Sequence, residues 1–269
     1  MTIQYFCPLW GNLLPFEDFC KNVKAAGYNG VEMDLPFDEY EKNTILLTLK
    51  KHNLLLIGQY WQSLEKDFHE NAKSYKKYLL HLADAKPILI NTQTGKDYFS
   101  FEQNMELIAL AESVSEQTGI EIVHETHRGK FFYNIPVFKR SVASNKNIKL
   151  ALDISHWCTV HESFLEDQSE GVALALNHTR HLHSRIGHTQ SPQLNDPRAP
   201  EWKETVDIYL KWWDELVLLS NKKNQPLTIT TEFGPYPYMP AMPYTQAPLS
   251  VQWDVNVYML ALLKNRYPY

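Results

Sequence analysis

The chain has 269 residues, of which 44% are hydrophobic and 21% are charged. This composition is typical of a soluble globular protein with a sizeable core, and it excludes both a disordered chain and a small disulfide-stapled fold. The formal net charge is −5 and no long run of lysine and arginine occurs. These features argue against a protein that binds nucleic acid by neutralising its phosphate backbone.

The amino-terminal residues and the cysteines indicate where the protein works. No positively charged leader precedes the first apolar residues, so we expect no signal peptide. No stretch approaches ~18 consecutive apolar residues, and no membrane span is expected. Cys7, Cys20 and Cys158 are widely spaced without a CxxC motif, which fits a reducing compartment. We therefore expect a cytoplasmic protein.

Short apolar runs alternate with long amphipathic segments along the chain, a pattern that indicates βα repetition. The runs typical of strands lie at residues 3–8, 30–35, 54–60, 87–92, 120–126, 148–154, 180–186 and 227–232. Helical spacing of apolar residues marks segments near 16–26, 101–111, 202–217 and 250–264. Ser100 and Gln103 form a plausible capping box for the second of these helices. Eight such βα pairs without a linker predict one domain over residues 1–269, a single (β/α)8 TIM barrel of the α/β class.

Two long loops interrupt this regular alternation. Residues 187–201 follow the seventh predicted strand, and the Pro/Tyr-rich residues 233–249 follow the eighth. Both loops belong to the face at the carboxyl ends of the strands, where barrel enzymes have their active sites. The second loop is interpreted as an ordered pocket wall, with a polyproline-like partner motif as the alternative.

Four predicted strands end in a side chain that can bind a metal or move a proton. IEIVHE ends at Glu125, IKLALD at Asp153, RHLH at His183 and LTITTE at Glu232. Any one of them alone is more often a satisfied polar group. Together, however, buried acids that face one another need a cation. Carboxylates with one imidazole and no thiolate suit one divalent ion, namely Mn²⁺, Mg²⁺, Co²⁺ or Zn²⁺.

Further side chains fall at the same end of the predicted barrel. Those expected to contact the substrate are His156, Arg185, His127, Glu32, Trp10, Tyr60, Trp157 and His188. For each of them an ordinary packing or hydrogen-bonding role is the alternative interpretation. The aromatic residues among them predict flat pocket walls with polar tips around a polar, metal-bound substrate of modest size.

The order of these motifs resembles a known superfamily. A glutamate that ends strand five, D-x-x-H after strand six, H-x-H on strand seven and a glutamate that ends strand eight resemble the xylose isomerase-like TIM barrels. This sugar phosphate isomerase/epimerase group includes ketose 3-epimerases related to tagatose epimerase, hydroxypyruvate isomerase and inosose dehydratase. The resemblance covers essentially the whole chain, and it is specific for the superfamily rather than for a substrate.

The resemblance implies roles for individual residues. The implied metal ligands are Glu125, Asp153, His183 and Glu232. Glu125 and Glu232 would also form the acid/base pair, while His156 and an arginine after strand seven would contact the substrate. The ketose epimerases place that arginine six residues after the metal histidine, whereas here Arg185 follows it by two and Thr189 stands at six. Their sugar specificity is therefore not carried over.

Endonuclease IV, a DNA-repair enzyme with three zinc ions, belongs to the same superfamily and is the alternative of a different class. Where that family has a histidine on strand four, this chain has Gln93, and where it has D-R-H the chain reads Asp196, Pro197, Arg198. A three-metal cluster and a nucleic-acid substrate are therefore not expected, and the acidic net charge agrees.

The implied reaction is proton transfer next to a carbonyl through a metal-stabilised enediolate. Return of the proton to the opposite face of the same carbon gives epimerisation, return to the adjacent carbon gives isomerisation, and the sequence leaves both open. Loss of a β-hydroxyl would instead make an inosose-type dehydratase, with His156 or His127 as general acid. A non-catalytic sugar-binding barrel is a further alternative, and assembly into a homo-oligomer stays open.

Overall fold

The structure is a computed structural model that describes residues 1–62 and 64–268. The strands in this part of the chain are β1 (Ile3–Pro8), β2 (Gly30–Met33), β3 (Leu55–Tyr60), β4 (Leu89–Thr92), β5 (Ile122–Glu125), β6 (Leu150–Leu152), β7 (Thr179–His183) and β8 (Leu227–Thr230). Each strand pairs in parallel with its neighbours in chain order, and β8 closes on β1. The predicted single (β/α)8 TIM barrel is confirmed.

Helices surround the barrel. They are α1 (Phe16–Ala26), α2 (Glu39–Lys51), α3 (Phe68–Asp84), α4 (Phe101–Thr118), α5 (Ile135–Ser144), α6 (Ile154–Val160), α7 (Ser169–His178), α8 (Lys203–Lys222) and α9 (Gln252–Arg266). The predicted capping box at the start of α4 is present, with the Ser100 side chain accepting from Gln103 N and the Gln103 side chain accepting from Ser100 N. Gly27 ends α1 at φ 94°, a left-handed conformation that glycine adopts without a steric penalty.

The hydrophobic core has two parts. A large cluster lies between the strands and the helices, and a small one fills the inside of the barrel. The inner cluster consists of Phe6, Ile57, Leu89, Val123 and Ala151. Side chains alternate along a strand, so the next residue that points into the barrel lies two positions further toward the carboxyl end. At those positions the interior becomes polar, and the candidate site begins there.

Two further observations concern the cysteines and the helices. Cys7, Cys20 and Cys158 are all buried and unpaired. Among the described residues, no helix combines the length and the apolar character that a membrane crossing requires.

Candidate metal centre and active site

Barrel closure brings the four predicted metal ligands together. Glu125 and His183 are the last residues of β5 and β7, whereas Asp153 and Glu232 follow β6 and β8 by one and two residues. Each offers a ligand atom that lies within 4.8 Å of the others, and all four side chains are buried. Four ligands from four consecutive strands therefore meet at one point.

The atoms at the centre of this cluster fit a bound cation. His183 Nδ1 lies 2.8 Å from Glu232 Oε2 and 3.9 Å from Glu125 Oε1. Within the described residues, neither His183 Nδ1 nor Glu232 Oε2 makes a well-directed hydrogen bond. Buried polar atoms without partners are costly. Oxygen and imidazole donors with unused lone pairs are ligands that a divalent cation accepts, so the residues present fit the metal that the motifs imply.

The charges of the cluster are strongly coupled. Burial, reinforced by the charge of Glu232, raises the pKa of Glu125 to about 8 against the opposing charge of His183. Burial alone would lower the pKa of His183, but the carboxylates of Glu232 and Glu32 hold it well above its usual range. A further negative charge on the cluster is therefore disfavoured, and a cation would relieve this repulsion.

The Asp153 carboxylate is held by Ser155 and by Arg185. Its Oδ1 caps α6 by accepting from the backbone N–H and the hydroxyl of Ser155, and its Oδ2 contacts the guanidinium of Arg185. That guanidinium also donates to His156 Nε2 at 2.8 Å and lies 3.7 Å from Glu232 Oε2. Arg185 is thus a buried cation at the edge of the centre, shared by two of the ligands.

A cavity of about 570 Å³ opens above the cluster, a size suited to a small ligand. It is lined by Leu9, Trp10, Asn12, Met33, Asp34, Gln59, Trp61, Gln93, Glu125, His127, Arg185, Glu232 and Tyr238. Of the residues predicted to contact the substrate, Trp10, His127 and Arg185 lie on this wall.

Tyr60 differs from its predicted position. It was expected to form part of the pocket wall, but its side chain faces away from the cavity and packs against Tyr75 and Tyr78 of α3, with ring centroids 5.2 Å apart in each pair. Because neighbouring strand residues point to opposite faces, Gln59 faces the cavity instead.

Trp157 and His188 are not on the cavity wall either. Trp157 is fully buried, and its indole N–H donates to Phe132 O at 2.9 Å. Its ring also packs against Phe138 of α5, with ring centroids 5.7 Å apart. His188 stacks on Trp202, with ring centroids 5.3 Å apart and an interplanar angle of 11°. Both residues follow a strand in the sequence, but they lie on segments that lead away from the barrel mouth. Their position in the sequence alone therefore did not predict that they lie off the cavity wall.

His127 and His156 lie side by side, with ring centroids 3.9 Å apart. His127 Nδ1 donates to Arg128 O at 2.6 Å, so its Nε2 is the acceptor for the Tyr238 hydroxyl at 3.3 Å. His156 Nε2 accepts from Arg185. Burial lowers the pKa of His127 to about 3 and that of His156 well below its usual range, so both imidazoles are neutral.

Glu32 lies deeper than expected. It was expected to contact the substrate, but it is not on the cavity wall and its side chain is buried inside the barrel. Its carboxylate accepts from His181 Nε2 at 3.0 Å and from His183 Nε2 at 3.1 Å. The inward face of β2 places Glu32 beneath the cluster of ligands.

Several polar residues of the site were missed or given no role. Gln93 donates to Glu125 at 3.3 Å, and Gln59 donates to Glu232 at 3.5 Å. Asn91 donates to Glu125 Oε2 at 3.1 Å from one layer below. Period-two alternation along β3 and β4 is the signal that could have found them, because these amides share a face with the barrel interior.

The Pro/Tyr-rich loop after β8 contributes one wall of the cavity. Tyr238 packs edge to face on Trp10 with centroids 5.0 Å apart, and the Arg185 guanidinium lies 4.7 Å from its ring centre. Tyr236 and Tyr244 are exposed. The interpretation as a pocket wall therefore holds for Tyr238. Phe233 and Met239 of the same loop are buried, and residues 242–249 are exposed.

Solved structures of xylose isomerase-like TIM barrel proteins have the same fold over almost the whole chain. No protein-family model and no curated protein matches it. D-allulose 3-epimerase from Methylomonas sp., solved with D-allulose, is similar over 99% of this chain and 98% of its own, with 12% identity and a TM-score of 0.62.

Other similar structures have different activities. The probable 3-DHS dehydratase AsbF from Bacillus anthracis matches 98% of this chain and 100% of its own, at 18% identity and a TM-score of 0.59. Endonuclease IV from Thermus thermophilus matches 97% of this chain and 98% of its own, at 11% identity and a TM-score of 0.58. Identities this low establish the fold, and the function has to be argued from the site.

Proposed function

We propose that the protein is a divalent-metal-dependent isomerase or epimerase of a small polyhydroxylated carbonyl compound. The observation that carries this proposal is the convergence of Glu125, Asp153, His183 and Glu232 within 4.8 Å, below a cavity on which both glutamates lie. The similarity to a sugar epimerase structure and the sugar-sized cavity support the substrate class.

The four converging residues would hold one divalent cation of the Mn²⁺, Mg²⁺, Co²⁺ or Zn²⁺ kind. Bound there, it would supply Lewis-acid stabilisation of the negative charge that develops on the substrate oxygens. The thiol-free donor set favours these ions, and the choice among them depends on availability.

The two glutamates are placed to move the proton. One carboxylate takes the proton from the carbon next to the carbonyl. The C–H electron pair forms the carbon–carbon double bond while the π pair of the carbonyl moves to its oxygen, which gives an enediolate. The other glutamate returns a proton, either to the same carbon or to its neighbour. Amide donors hold each carboxylate from the side, Gln93 on Glu125 and Gln59 on Glu232. Such fixed orientation is what proton transfer requires.

The hydrogen bonds of the two histidines bear on the alternative of a β-elimination. A dehydratase needs an acid for the departing hydroxyl. Both ring nitrogens of His127 are occupied by Arg128 O and the Tyr238 hydroxyl, and His156 Nε2 accepts from Arg185. His127 therefore has no free N–H. His156 carries its proton on Nδ1, which has no hydrogen-bond partner among the described residues, so a dehydratase would have to use His156 as its acid.

The site also gives little support to a DNA-repair hydrolase. Gln93 holds Glu125 where endonuclease IV has a metal histidine, and Asp196 forms a bidentate pair with Arg198. Gln93 and Asp196 therefore contact other protein groups, and we propose that the site holds one cation.

Deuterium incorporation tests the proposal directly. Metal-loaded protein is incubated in heavy water with a panel of ketoses, inososes and hydroxypyruvate, and exchange of the carbon-bound proton is read by mass spectrometry. Glu125→Gln and Glu232→Gln are each expected to abolish exchange while leaving the fold intact, because a carboxamide cannot accept the proton.

Glu121→Gln is the matched control, because this glutamate pairs with Lys149 at the other end of β5. Its exchange rate should equal that of the original protein. Original rates in either site variant contradict the two-base assignment. Elemental analysis that finds no metal at saturating Mn²⁺ contradicts the metal centre and leaves the sugar-binding barrel as the alternative.

A further inference from the structure

A buried carboxylate lies directly beneath the metal centre and has no part in the reaction proposed above. Glu32 is 1% exposed. It accepts hydrogen bonds from three other strands of the barrel: Asn91 Nδ2 on β4 at 2.9 Å, His181 and His183 on β7, and Thr230 Oγ1 on β8 at 2.5 Å. A carboxylate with this many donors is held in one orientation.

The contact with His183 decides which ring nitrogen faces the metal centre. His183 Nε2 lies 3.1 Å from both oxygens of Glu32, and a carboxylate can only accept, so Nε2 carries the proton. The other nitrogen, Nδ1, points toward Glu232 and Glu125 at 2.8 and 3.9 Å. A neutral imidazole with its proton on Nε2 has its lone pair on Nδ1, where a cation needs it.

The same carboxylate also fixes the neighbouring histidine. His181 Nε2 donates to Glu32 Oε2 at 3.0 Å, and its Nδ1 lies 2.7 Å from Thr228 Oγ1. Both nitrogens of His181 are therefore engaged inside the barrel. His181 serves as a support for Glu32. His183 connects Glu32 to the centre directly, and Asn91 connects it to Glu125 by donating to both carboxylates.

We propose that Glu32 is a positioning residue that fixes the tautomer and ring orientation of His183, so that Nδ1 is presented to the divalent cation. This inference rests on the proposed metal centre. Metal-bound histidines commonly donate their second N–H to a carboxylate, and loss of that partner typically costs 10–100-fold in metal affinity.

The experiment compares Zn²⁺ binding by the original protein and by Glu32→Gln, using calorimetric titration and ¹⁵N NMR of labelled histidines. The carboxamide keeps the size of the side chain but loses its charge. We expect Glu32→Gln to bind Zn²⁺ roughly 10–100-fold more weakly. In the metal-free protein, at a pH high enough to deprotonate the His183 imidazolium, its signals should change from a single Nε2-protonated form to a mixture of tautomers.

Two controls separate positioning from general support of the fold. Glu17→Gln removes another glutamate–histidine contact, the 2.8 Å pair with His52 Nε2 at the surface, and should leave Zn²⁺ affinity unchanged. Thr230→Val removes a different hydrogen bond to Glu32, so it should lower the free energy of unfolding without changing the His183 tautomer. If Glu32→Gln does not fold, Glu32→Asp, which keeps the charge, should show a smaller loss of affinity.

The outcomes are distinct. Unchanged affinity and an unchanged His183 tautomer in Glu32→Gln overturn the inference and leave the proposed function in place. An original protein that binds no Zn²⁺ overturns the proposed function as well. A second Zn²⁺ that is lost in His181→Gln also overturns the inference, because Glu32 would then be a ligand itself.

Discussion

At the scale of single residues, Arg185 decides how much charge the centre carries. Its guanidinium is buried against Asp153 and lies 3.7 Å from Glu232, so it offsets part of the negative charge of the ligands. A buried ion pair often adds little net stability, but removal of one partner leaves an uncompensated charge in a low-dielectric interior. Arg185 therefore stabilises the metal-free protein.

We predict that Arg185→Met lowers the free energy of unfolding of the metal-free protein by roughly 3–5 kcal/mol, the cost of leaving a buried carboxylate without its partner. Urea denaturation in the presence of a chelator measures this change. Arg266→Met is the matched control, because it removes a bidentate pair with Asp214 at the surface. That pair should contribute about 1 kcal/mol or less. Equal losses in the two variants contradict the prediction.

At the scale of elements, the loops after β1, β7 and β8 form one connected wall of the cavity. Gln193 donates to Gly234 O at 3.1 Å and accepts from Gly234 N at 2.8 Å, which ties the β7 loop to the β8 loop. Trp10 of the β1 loop packs directly on Gly234. The wall is thus held by buried hydrogen bonds and close packing before any ligand arrives.

The contact between Trp10 and Gly234 leaves no room for a side chain. A Cβ atom at residue 234 would lie 2.2 Å from the indole, so we predict that Gly234→Ala displaces Trp10 at a cost of about 1–3 kcal/mol. The KM of the substrate found by deuterium exchange should rise by roughly tenfold or more, because about 1.4 kcal/mol corresponds to a factor of ten.

Gly58→Ala provides the control for this substitution. A Cβ atom there would meet Ile90 and Leu82 at 3.5 Å, an ordinary van der Waals distance on the outer face of β3. Its KM should match that of the original protein. A Gly234→Ala variant with the original KM and the original tryptophan fluorescence would show that this wall does not contact the substrate.

At the scale of the whole molecule, the centre links strands that are far apart in the chain. Its ligands come from β5, β6, β7 and β8, and each strand is fixed by parallel pairing with the next. The unfolded chain does not hold these groups together. A cation that binds only the folded barrel therefore stabilises the whole fold.

We predict that Mn²⁺ at 100 times its Kd raises the free energy of unfolding by about 2.7 kcal/mol. For a chain of this size the Tm should rise by roughly 5 °C or more. Scanning calorimetry with and without a chelator measures the shift. His183→Gln should show a smaller shift in Tm because it removes a proposed ligand. If Mn²⁺ does not change the Tm of the original protein, the proposed centre is contradicted.

The sequence by itself determined the architecture and the identity of the four converging groups. Alternation of short apolar runs and amphipathic helices is a local property, so the order of the strands and the residues at their carboxyl ends could be read directly. Glu125, Asp153, His183 and Glu232 each stand at the end of such a run, and a parallel barrel brings strand ends to one face.

The tertiary structure alone decided which other side chains reach the site and at what depth. The alternation of side chains shows which residues of a strand share a face, but it does not show which face points into the barrel. Tyr60 was therefore predicted on the cavity wall, where the structure has Gln59. Glu32 and His183 are 151 residues apart, and only closure of the barrel places them in contact. The contact between the proposed ligand His183 and the proposed positioning residue Glu32 therefore depends on packing between strands that are distant in the sequence.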